Sequence, residues 1–227
     1  MNDIDHRTRV AAEKREKMRR KLVECAMVVF SRKGVEAAVV DEVIALAEVS
    51  RGTFYNYFKS NEELLVAVVQ EMGHELFWLI EQVVGTTKNP LERVCAALRL
   101  TMHTARRYPR FGNFFLRSNV AVTPSSSLAH QFLERDIGEA MHLGKLKGAD
   151  KMDVAIDFIV GATLGGVQSL LTRNDHNDSY PEEIAFHILL GLGVTVAAAR
   201  RMVDLPLRYI DIPPNSLLER SNSLASE

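Results

Sequence analysis

The 227-residue chain lacks most features that mark secreted, membrane or disulfide-stabilised proteins. It has only two cysteines, Cys25 and Cys95, and both lie among apolar neighbours. This pattern predicts small core residues in a reducing compartment rather than a disulfide. No uninterrupted apolar run reaches about 18 residues, and the N-terminal segment is charged, so neither a membrane span nor a secretory signal is indicated. We therefore expect a cytoplasmic protein with no membrane partner.

Residue combinations that support catalysis or metal binding are also scarce. The seven histidines are scattered, and no two of them lie one helical turn apart. The glycines between Gly161 and Gly166 lie within a helical pattern with no preceding strand, which argues against a phosphate-binding loop. We therefore expect no enzymatic activity, no cofactor and no metal site.

Apolar residues recur with the period of an α-helix along most of the chain, and no alternating strand pattern occurs. We predict an all-α fold of about nine helices with three regions: a small N-terminal domain over 1–60, a larger helical domain over 61–203 and an extended or disordered tail over 204–227. The predicted helices cover residues 15–32, 41–47, 50–60, 62–84, 90–107, 111–116, 124–147, 151–172 and 181–202.

The most informative segment is residues 50–60, a short aromatic-rich helix. Phe54 and Phe58 lie one turn apart and can dock on a core. The opposite face carries guanidinium, hydroxyl, amide and ammonium groups, which suit phosphates and base edges. A second short helix over 41–47 precedes it, and Ser50 is a suitable N-cap for the helix that follows. Two short helices joined in this way match a helix-turn-helix, whose second helix enters the major groove.

Charge is unevenly distributed although the net charge is only −1. Residues 6–21 contain eight basic and two acidic side chains, a net of +6. Residues 1–60 have a net charge of +3 and the remainder −4. A basic head on an acidic body favours DNA contact through the head, although a basic N-terminus can also be merely solubilising.

The run Val49-Ser50-Arg51-Gly52-Thr53-Phe54-Tyr55-Asn56-Tyr57-Phe58-Lys59, followed by Glu62-Glu63-Leu64-Leu65, resembles the TetR/AcrR family of bacterial transcriptional regulators over roughly residues 15–70. The resemblance implies an N-terminal helix-turn-helix domain and a C-terminal helical domain for ligand binding and dimerisation. It assigns DNA contacts to Ser50, Arg51, Gly52, Thr53, Tyr55, Asn56, Tyr57 and Lys59. Arg51 and Gly52 would approach base edges. Tyr57 remains open between a DNA contact and a core position.

Three departures from the family pattern concern the second helix. Residues 38–40 lack the hydroxyl residue that usually caps this helix, and Asp41 and Glu42 would repel phosphates. Glu48 occupies the position of the usual turn glycine, which strains the turn if a left-handed conformation is needed. Whether this helix contacts DNA is left open.

The last two long helices are apolar around much of their circumference, which is unusual for helices with one face in water. The resemblance implies that they form a four-helix bundle with a second subunit; the alternative is burial inside one chain. The predicted dimer interface contains Phe158, Gly161, Ala162, Gly165, Ser169, Ile188, Leu192 and Val196.

The resemblance also implies a small-molecule effector within the C-terminal domain. The candidate contacts are Trp78, Met102, His103, Phe111, Phe114, Phe115, Phe132 and Gln168, although an aromatic stripe in a helical domain is more often core than pocket. The function expected is therefore a ligand-responsive repressor that binds a palindromic DNA operator as a homodimer and is released by an apolar or amphipathic effector. The alternative is an architectural or ligand-independent DNA-binding protein on the same fold.

Overall fold

The computed structural model describes residues 2–34, 37–117, 127–146, 151–173 and 175–223. These residues form eleven helices and no strand, which confirms the predicted all-α class. The helices, in chain order, are α1 (Asn2–Lys33), α2 (Val40–Ala47), α3 (Arg51–Tyr55), α4 (Asn61–Val84), α5 (Pro90–Arg107), α6 (Pro109–Arg117), α7 (Leu128–His142), α8 (Met152–Thr172), α9 (Tyr180–Gly191), α10 (Val196–Val203) and α11 (Leu217–Ser223).

The chain divides into two compact units, and the boundary falls within α4. The first unit contains the described residues up to Val69 together with Ser223, and the second contains Gln70–Asn222. The core of the first unit is formed by α1, α2, α3 and the start of α4, including Phe30, Val43, Phe54 and Leu64. The core of the second unit is built around α5, which packs against α6, α7, α8, α9 and α10.

The first helix is longer than predicted. It begins at Asn2 rather than near residue 15, so the basic N-terminal segment is helical. The added residues include alanine, glutamate, lysine and arginine, which favour helices, and contain no glycine or proline. The seventh helix is shorter than predicted, since α7 begins after Ser127 and ends before Gly144. Its predicted ends at 124–126 and 147 lie outside the described residues.

The single helix predicted over 181–202 was wrong, because the chain forms α9 and α10 with a break between them. Gly193 has a φ of 84°, a left-handed conformation that glycine adopts readily. Thr195 then caps α10 by accepting a hydrogen bond from the Ala198 backbone at 3.4 Å. Because these signals lie inside a continuous apolar run, the apolar pattern concealed the break.

The prediction that the tail is extended or disordered was wrong for its final part. The Glu75 carboxylate accepts backbone hydrogen bonds from Leu217 at 3.0 Å and Leu218 at 3.2 Å, at the start of α11. Leu218 and Ser221 are fully buried. These contacts hold the C-terminal segment on the second unit. The last residues, 224–227, lie outside the described part of the chain.

One described helix, α8, is long and apolar enough to cross a membrane by length and composition. This is weak evidence, because the core helix of a folded domain passes the same test. One side of α8 contributes Ile159 and Val167 to the core of the second unit, which accounts for much of its apolar character.

Candidate DNA-binding surface and effector cavity

The turn between α2 and α3 has the geometry of a helix-turn-helix. The Glu48 and Val49 backbone N–H groups donate to Ala45 and Ile44 carbonyls, each at 3.2 Å, which is the Schellman pattern. Glu48 has φ 52° and ψ 47°, so the left-handed conformation expected at this position is present without glycine. This conformation costs a residue with a Cβ about 1–2 kcal/mol.

The missing cap of α2 is replaced by a side chain from α4. Val39 precedes α2 and offers no side-chain cap, as predicted. Instead, the Asn61 carboxamide accepts from the Val39 N–H at 3.2 Å and donates to the Ala37 carbonyl at 3.1 Å. This long-range pair orders the loop before α2 and satisfies a backbone donor that would otherwise lack a partner.

The third helix, α3, is shorter than the predicted 50–60, because α-helical geometry ends at Tyr55. A hydrogen-bonded turn then leads to Phe58, whose N–H donates to the Phe54 carbonyl at 3.1 Å. Ser50 caps the helix as predicted, since its Oγ accepts from the Thr53 N–H at 3.0 Å. Phe54 and Phe58 are buried, which confirms their scaffold role.

The predicted DNA contacts lie on one continuous segment, and most of them are exposed. The exposed residues are Ser50, Arg51, Gly52, Tyr55, Asn56 and Lys59, whereas Thr53 and Tyr57 are half-buried. At Gly52, an added Cβ would meet only the Ser50 Oγ, at 3.8 Å. The packing of the chain itself therefore does not require glycine at this position.

Arg51 has a partner that the sequence analysis did not anticipate, because its guanidinium forms an ion pair with Asp41 of α2. Both side chains are mostly exposed, and such a pair contributes at most about 1 kcal/mol. A bidentate contact between arginine and guanine is worth about 1–3 kcal/mol of base discrimination. It is therefore energetically feasible for the Arg51 guanidinium to leave Asp41 and to contact a base edge instead.

The second unit contains an apolar cavity of about 70 Å³. Residues from five helices, α4 to α8, form its walls, including the rings of Phe77, Phe115 and Phe132. The polar side chains described along the cavity are Glu81, Thr101, Asp136 and Thr163. The cavity therefore has an aromatic wall and a small number of oxygen atoms.

A buried cluster of charged groups borders this cavity. Arg93 and Asp136 are only 7% and 4% exposed, and the Arg93 Nε lies 2.9 Å from the Asp136 Oδ1. Arg135 donates to both oxygens of Glu81, at 2.6 and 3.1 Å, and to both oxygens of Asp136, at 2.7 and 3.1 Å. Hydrogen bonds to Asp136 first, and then to Glu81, raise the pKa of Arg135 above its ordinary range.

Sequence reasoning missed this charged cluster. Its detectable signal was the position of Asp136 on the apolar face of α7, between Phe132 and Ala140 at i−4 and i+4. A charged residue on an apolar helix face requires a buried partner. The sequence could not show that the partners would be Arg93, 43 residues earlier, and the adjacent Arg135.

Of the eight predicted effector contacts, the structure brings Phe115 and Phe132 to the cavity. Met102, Phe111 and Phe114 are buried outside its lining. Trp78 is 51% exposed, and Gln168 is also exposed. His103 lies in a separate open groove with Tyr209. The prediction thus identified part of the aromatic wall and none of the polar side chains.

The face of α5 near His103 carries a partly buried cluster of charged groups rather than a solvated basic surface. Arg99 is buried and donates from its Nε to the Glu182 Oε1 at 3.1 Å and from its Nη1 to the Leu205 carbonyl at 3.0 Å. The His103 Nε2 lies 2.9 Å from the same Glu182 oxygen. Burial favours the neutral acid, but hydrogen bonds from His103, the backbone and Arg99 lower the pKa of Glu182 overall.

Part of the predicted dimer interface is exposed. Phe158 on α8 is 43% exposed, and an added Cβ at Gly161 or Gly165 would meet no atom of the described residues within 4 Å. Val154, which was not among the predicted contacts, is also exposed on α8, at 59%. Val196 is also exposed, while Ala162 and Ser169 are half-buried. Ile188 and Leu192 are buried in the core of the single chain, so they offer no surface to a second copy.

Cys95 is buried in the second unit, as expected of a small core residue, and burial raises the pKa of its thiol to about 12. Cys25 is half-buried in α1. Among the described residues, no group of three or more His, Cys, Asp or Glu side chains is arranged to hold a metal ion.

The short helix α3, capped by Ser50 and preceded by the Glu48 turn, makes the first unit a helix-turn-helix domain, the class found in DNA-binding regulators. Comparison of the chain with models of protein families gives the same class. Residues 22–68 match the model described as bacterial regulatory proteins, tetR family, and residues 89–204 match a tetracyclin repressor-like C-terminal domain. The chain belongs to the TetR family of helix-turn-helix transcriptional regulators.

Curated relatives are also transcriptional regulators rather than enzymes. The chain is 27% identical to the transcriptional repressor DhaR of Mycobacterium sp. strain GP1 over 161 residues, which cover 66% of this chain and 80% of DhaR. It is 29% identical to the repressor KstR2 of Mycolicibacterium smegmatis over 76 residues. That match spans 34% of this chain and only 37% of the length of KstR2.

A solved structure with a similar fold is RolR in complex with the ligand resorcinol. Its TM-score is 0.76 at 26% identity, with 88% of this chain and all of the RolR chain covered.

Proposed function

We propose that the chain is a ligand-responsive repressor, which binds a palindromic operator as a homodimer in the cytoplasm and releases it when a small apolar or amphipathic molecule occupies the cavity. The observation that carries this proposal is the exposed donor face of α3, held over the buried Phe54 and Phe58 rings. Its donors match the acceptors on phosphates and base edges.

Genome-wide capture of bound DNA tests the operator directly. We expect a small set of sites with two inverted half-sites, about one DNA turn or a multiple of it apart, because a two-fold dimer presents two recognition helices. Binding spread over many unrelated sequences would favour the architectural alternative. Transcription of the adjacent genes in a deletion strain then tests repression, since a repressor's targets rise when it is removed.

Two variants separate base recognition from phosphate contact. Arg51→Ala should weaken specific binding by about 1–3 kcal/mol and relax the preference for one base pair. Lys59→Ala should weaken binding to all sequences similarly. It should also reduce the salt dependence of binding, because a variant with one phosphate contact fewer displaces fewer counterions from the DNA. Fluorescence anisotropy with operator and scrambled DNA over a range of salt concentrations measures both effects. Full specificity in Arg51→Ala would move base recognition to other residues.

The cavity and the similarity to RolR support the effector part of the proposal. RolR was solved with resorcinol, a small aromatic molecule, and shares 26% identity with this chain. We expect a compound of similar size to raise the melting temperature and to release operator DNA, because a ligand that binds only the folded protein stabilises it. A screen of single-ring aromatics should include resorcinol. DNA binding that no compound changes would favour a ligand-independent regulator.

A further inference from the structure

We propose that the cavity selects a neutral single-ring aromatic ligand that donates a hydrogen bond, and that the Thr163 hydroxyl is one of the acceptors that make this selection. The inference rests on the proposed effector function and narrows it to one chemical class. It depends on the size of the cavity, its aromatic wall and the hydrogen-bonding state of its polar side chains.

The volume of the cavity limits the ligand to about one ring. A dry cavity of about 150 Å³ lined by apolar residues is known to bind benzene. The cavity here is about half that size, at about 70 Å³, so even a single ring requires small shifts of the surrounding side chains. Phe77, Phe115 and Phe132 offer aromatic contacts that suit a planar ring. A long-chain or multi-ring ligand would require larger displacements of these side chains than a single ring does.

The two threonine hydroxyls along the cavity have already donated their hydrogen atoms. The Thr163 Oγ1 donates to the Ile159 carbonyl at 2.7 Å, and the Thr101 Oγ1 donates to the Ala97 carbonyl at 2.8 Å. A hydroxyl has one hydrogen and two lone pairs, so each oxygen retains the capacity to accept. A ligand hydroxyl can therefore donate to these oxygens, whereas a ligand acceptor would find no hydrogen there.

The carboxylates of Glu81 and Asp136 add further acceptors to the cavity lining. An ionised carboxylate accepts about four hydrogen bonds and donates none. Glu81 accepts two from Arg135, and Asp136 accepts from Arg93 and Arg135, so both keep acceptor capacity. The four polar side chains described along the cavity thus share one property, which is that they accept hydrogen bonds.

The nearby guanidinium groups do not offer a site for an anionic ligand. All three nitrogens of Arg135 donate to Glu81 or Asp136, and those of Arg93 donate to Asp136, Glu139 and the Thr87 carbonyl. Three carboxylates face two guanidiniums in this cluster, so its formal charge is −1. A ligand carboxylate would be buried beside net negative charge, and the guanidinium nitrogens near it already donate to other acceptors, which is strongly unfavourable.

Isothermal titration calorimetry on the full-length, DNA-free protein tests this selection with phenol, toluene and benzoate, which differ by one ring substituent. We expect phenol to bind at least tenfold more tightly than toluene, and benzoate to show no binding. Toluene binding as tight as that of phenol, or measurable benzoate binding, would overturn the inference while leaving an effector function in place. Absence of binding by all three, together with unchanged operator binding, would overturn the inference and the proposed release by a small aromatic molecule.

The matched variants are Thr163→Val and Thr172→Val. Both threonines lie on α8 and donate to a carbonyl four residues earlier, but only Thr163 lines the cavity. Thr163→Val should reduce phenol affinity about fivefold to tenfold and leave toluene affinity unchanged, because only the acceptor is lost. Thr172→Val should change neither. Equal losses for phenol and toluene in Thr163→Val would indicate altered packing and would contradict the role of its oxygen.

Discussion

At the scale of single residues, the proposed DNA-binding surface contains side chains that the chain does not need for its own packing. Gly52 has room for a Cβ, and Arg51 forms an exposed ion pair with Asp41. Both residues lie on α3, above the buried Phe54. Residues whose identity is not required by the fold are available for contacts with a partner.

Gly52→Ala should separate stability from DNA binding. Since glycine costs a helix about 0.5–1 kcal/mol relative to alanine, the variant should be more stable by about that amount. The added methyl group should nevertheless weaken operator binding, because close backbone approach to DNA is lost. Urea denaturation and fluorescence anisotropy measure the two effects.

Gly73→Ala is the matched control for Gly52→Ala. Gly73 lies inside α4, and an added Cβ there would meet no atom of the described residues within 4 Å, so it too has room for a methyl group. This variant should gain similar stability without a change in DNA affinity. If Gly52→Ala bound the operator as tightly as the natural protein, close backbone approach at this position would be contradicted.

At the scale of secondary-structure elements, the order of the helices was more predictable than their ends. Helix α4 begins at Asn61 and α5 at Pro90, close to the predicted starts at 62 and 90, because acidic first-turn residues and an N-terminal proline are local signals. The break between α9 and α10 was not predicted, and neither was the formation of helix α11. Both depend on contacts or backbone angles that an apolar pattern does not report.

The turn between α2 and α3 allows a stability test at this scale. Glu48→Gly should raise the free energy of unfolding by about 0.5–1 kcal/mol, because glycine adopts the left-handed conformation without a Cβ penalty. Glu48→Ala removes the same charge but keeps the Cβ, so it should gain little. Urea denaturation followed by circular dichroism measures both variants. Equal gains would assign the effect to the lost charge rather than to the backbone.

At the scale of the whole molecule, ionic contacts join distant parts of the chain within the second unit. Glu182 at the start of α9 accepts from Arg99 of α5, and Arg99 also binds the Leu205 carbonyl after α10. A second cluster joins Glu81 of α4 to Arg135 of α7. These contacts link elements that pack together, and they span 54 to 106 residues of sequence.

Glu182 should make stability depend on pH. Because its pKa is lowered in the folded state, its contribution is present above the ordinary glutamate pKa and is lost as the pH falls through the folded value. Glu182→Gln should lower the free energy of unfolding by about 1–3 kcal/mol at neutral pH, since the buried Arg99 loses its charged partner. The difference from the natural protein should shrink below about pH 4.

Glu183→Gln is the control for Glu182→Gln, because Glu183 pairs with Arg200 at 2.8 Å but both side chains are largely exposed. It should change stability by less than about 1 kcal/mol. Urea denaturation of both variants between pH 3 and pH 7 is the measurement. If the loss of unfolding free energy in Glu182→Gln persisted unchanged at low pH, the loss would be due to the shape of the side chain and not to its charge.

Dimerisation is tested on the exposed face of α8. Gly161→Glu should convert a dimer of 25.4 kDa chains into monomers, because the single chain has room for the side chain while a closely packed second copy does not. Leu143→Glu, which also adds a charge at an exposed site, should leave the dimer intact. Analytical ultracentrifugation distinguishes the outcomes, and a dimeric Gly161→Glu protein would place the interface elsewhere.

The sequence by itself determined the helical class, the family and the helix-turn-helix segment. These depend on local information: the period of apolar residues, the N-cap at Ser50 and the side chains between Arg51 and Lys59. A helix cap and the two faces of a short helix are set by residues within a few positions of each other, so they can be deduced without knowing the rest of the fold.

Only the tertiary structure decided which residues form the cavity and which charges are buried. Asp136 accepts a hydrogen bond from Arg93, which lies 43 residues earlier in the sequence. Asn61 replaces the helix cap that residues 38–40 lack. Ile188 and Leu192 proved to be core, whereas Gly161 and Gly165 remained open. Burial and ion pairing depend on which helices pack together, and helical periodicity describes each helix without specifying its neighbours.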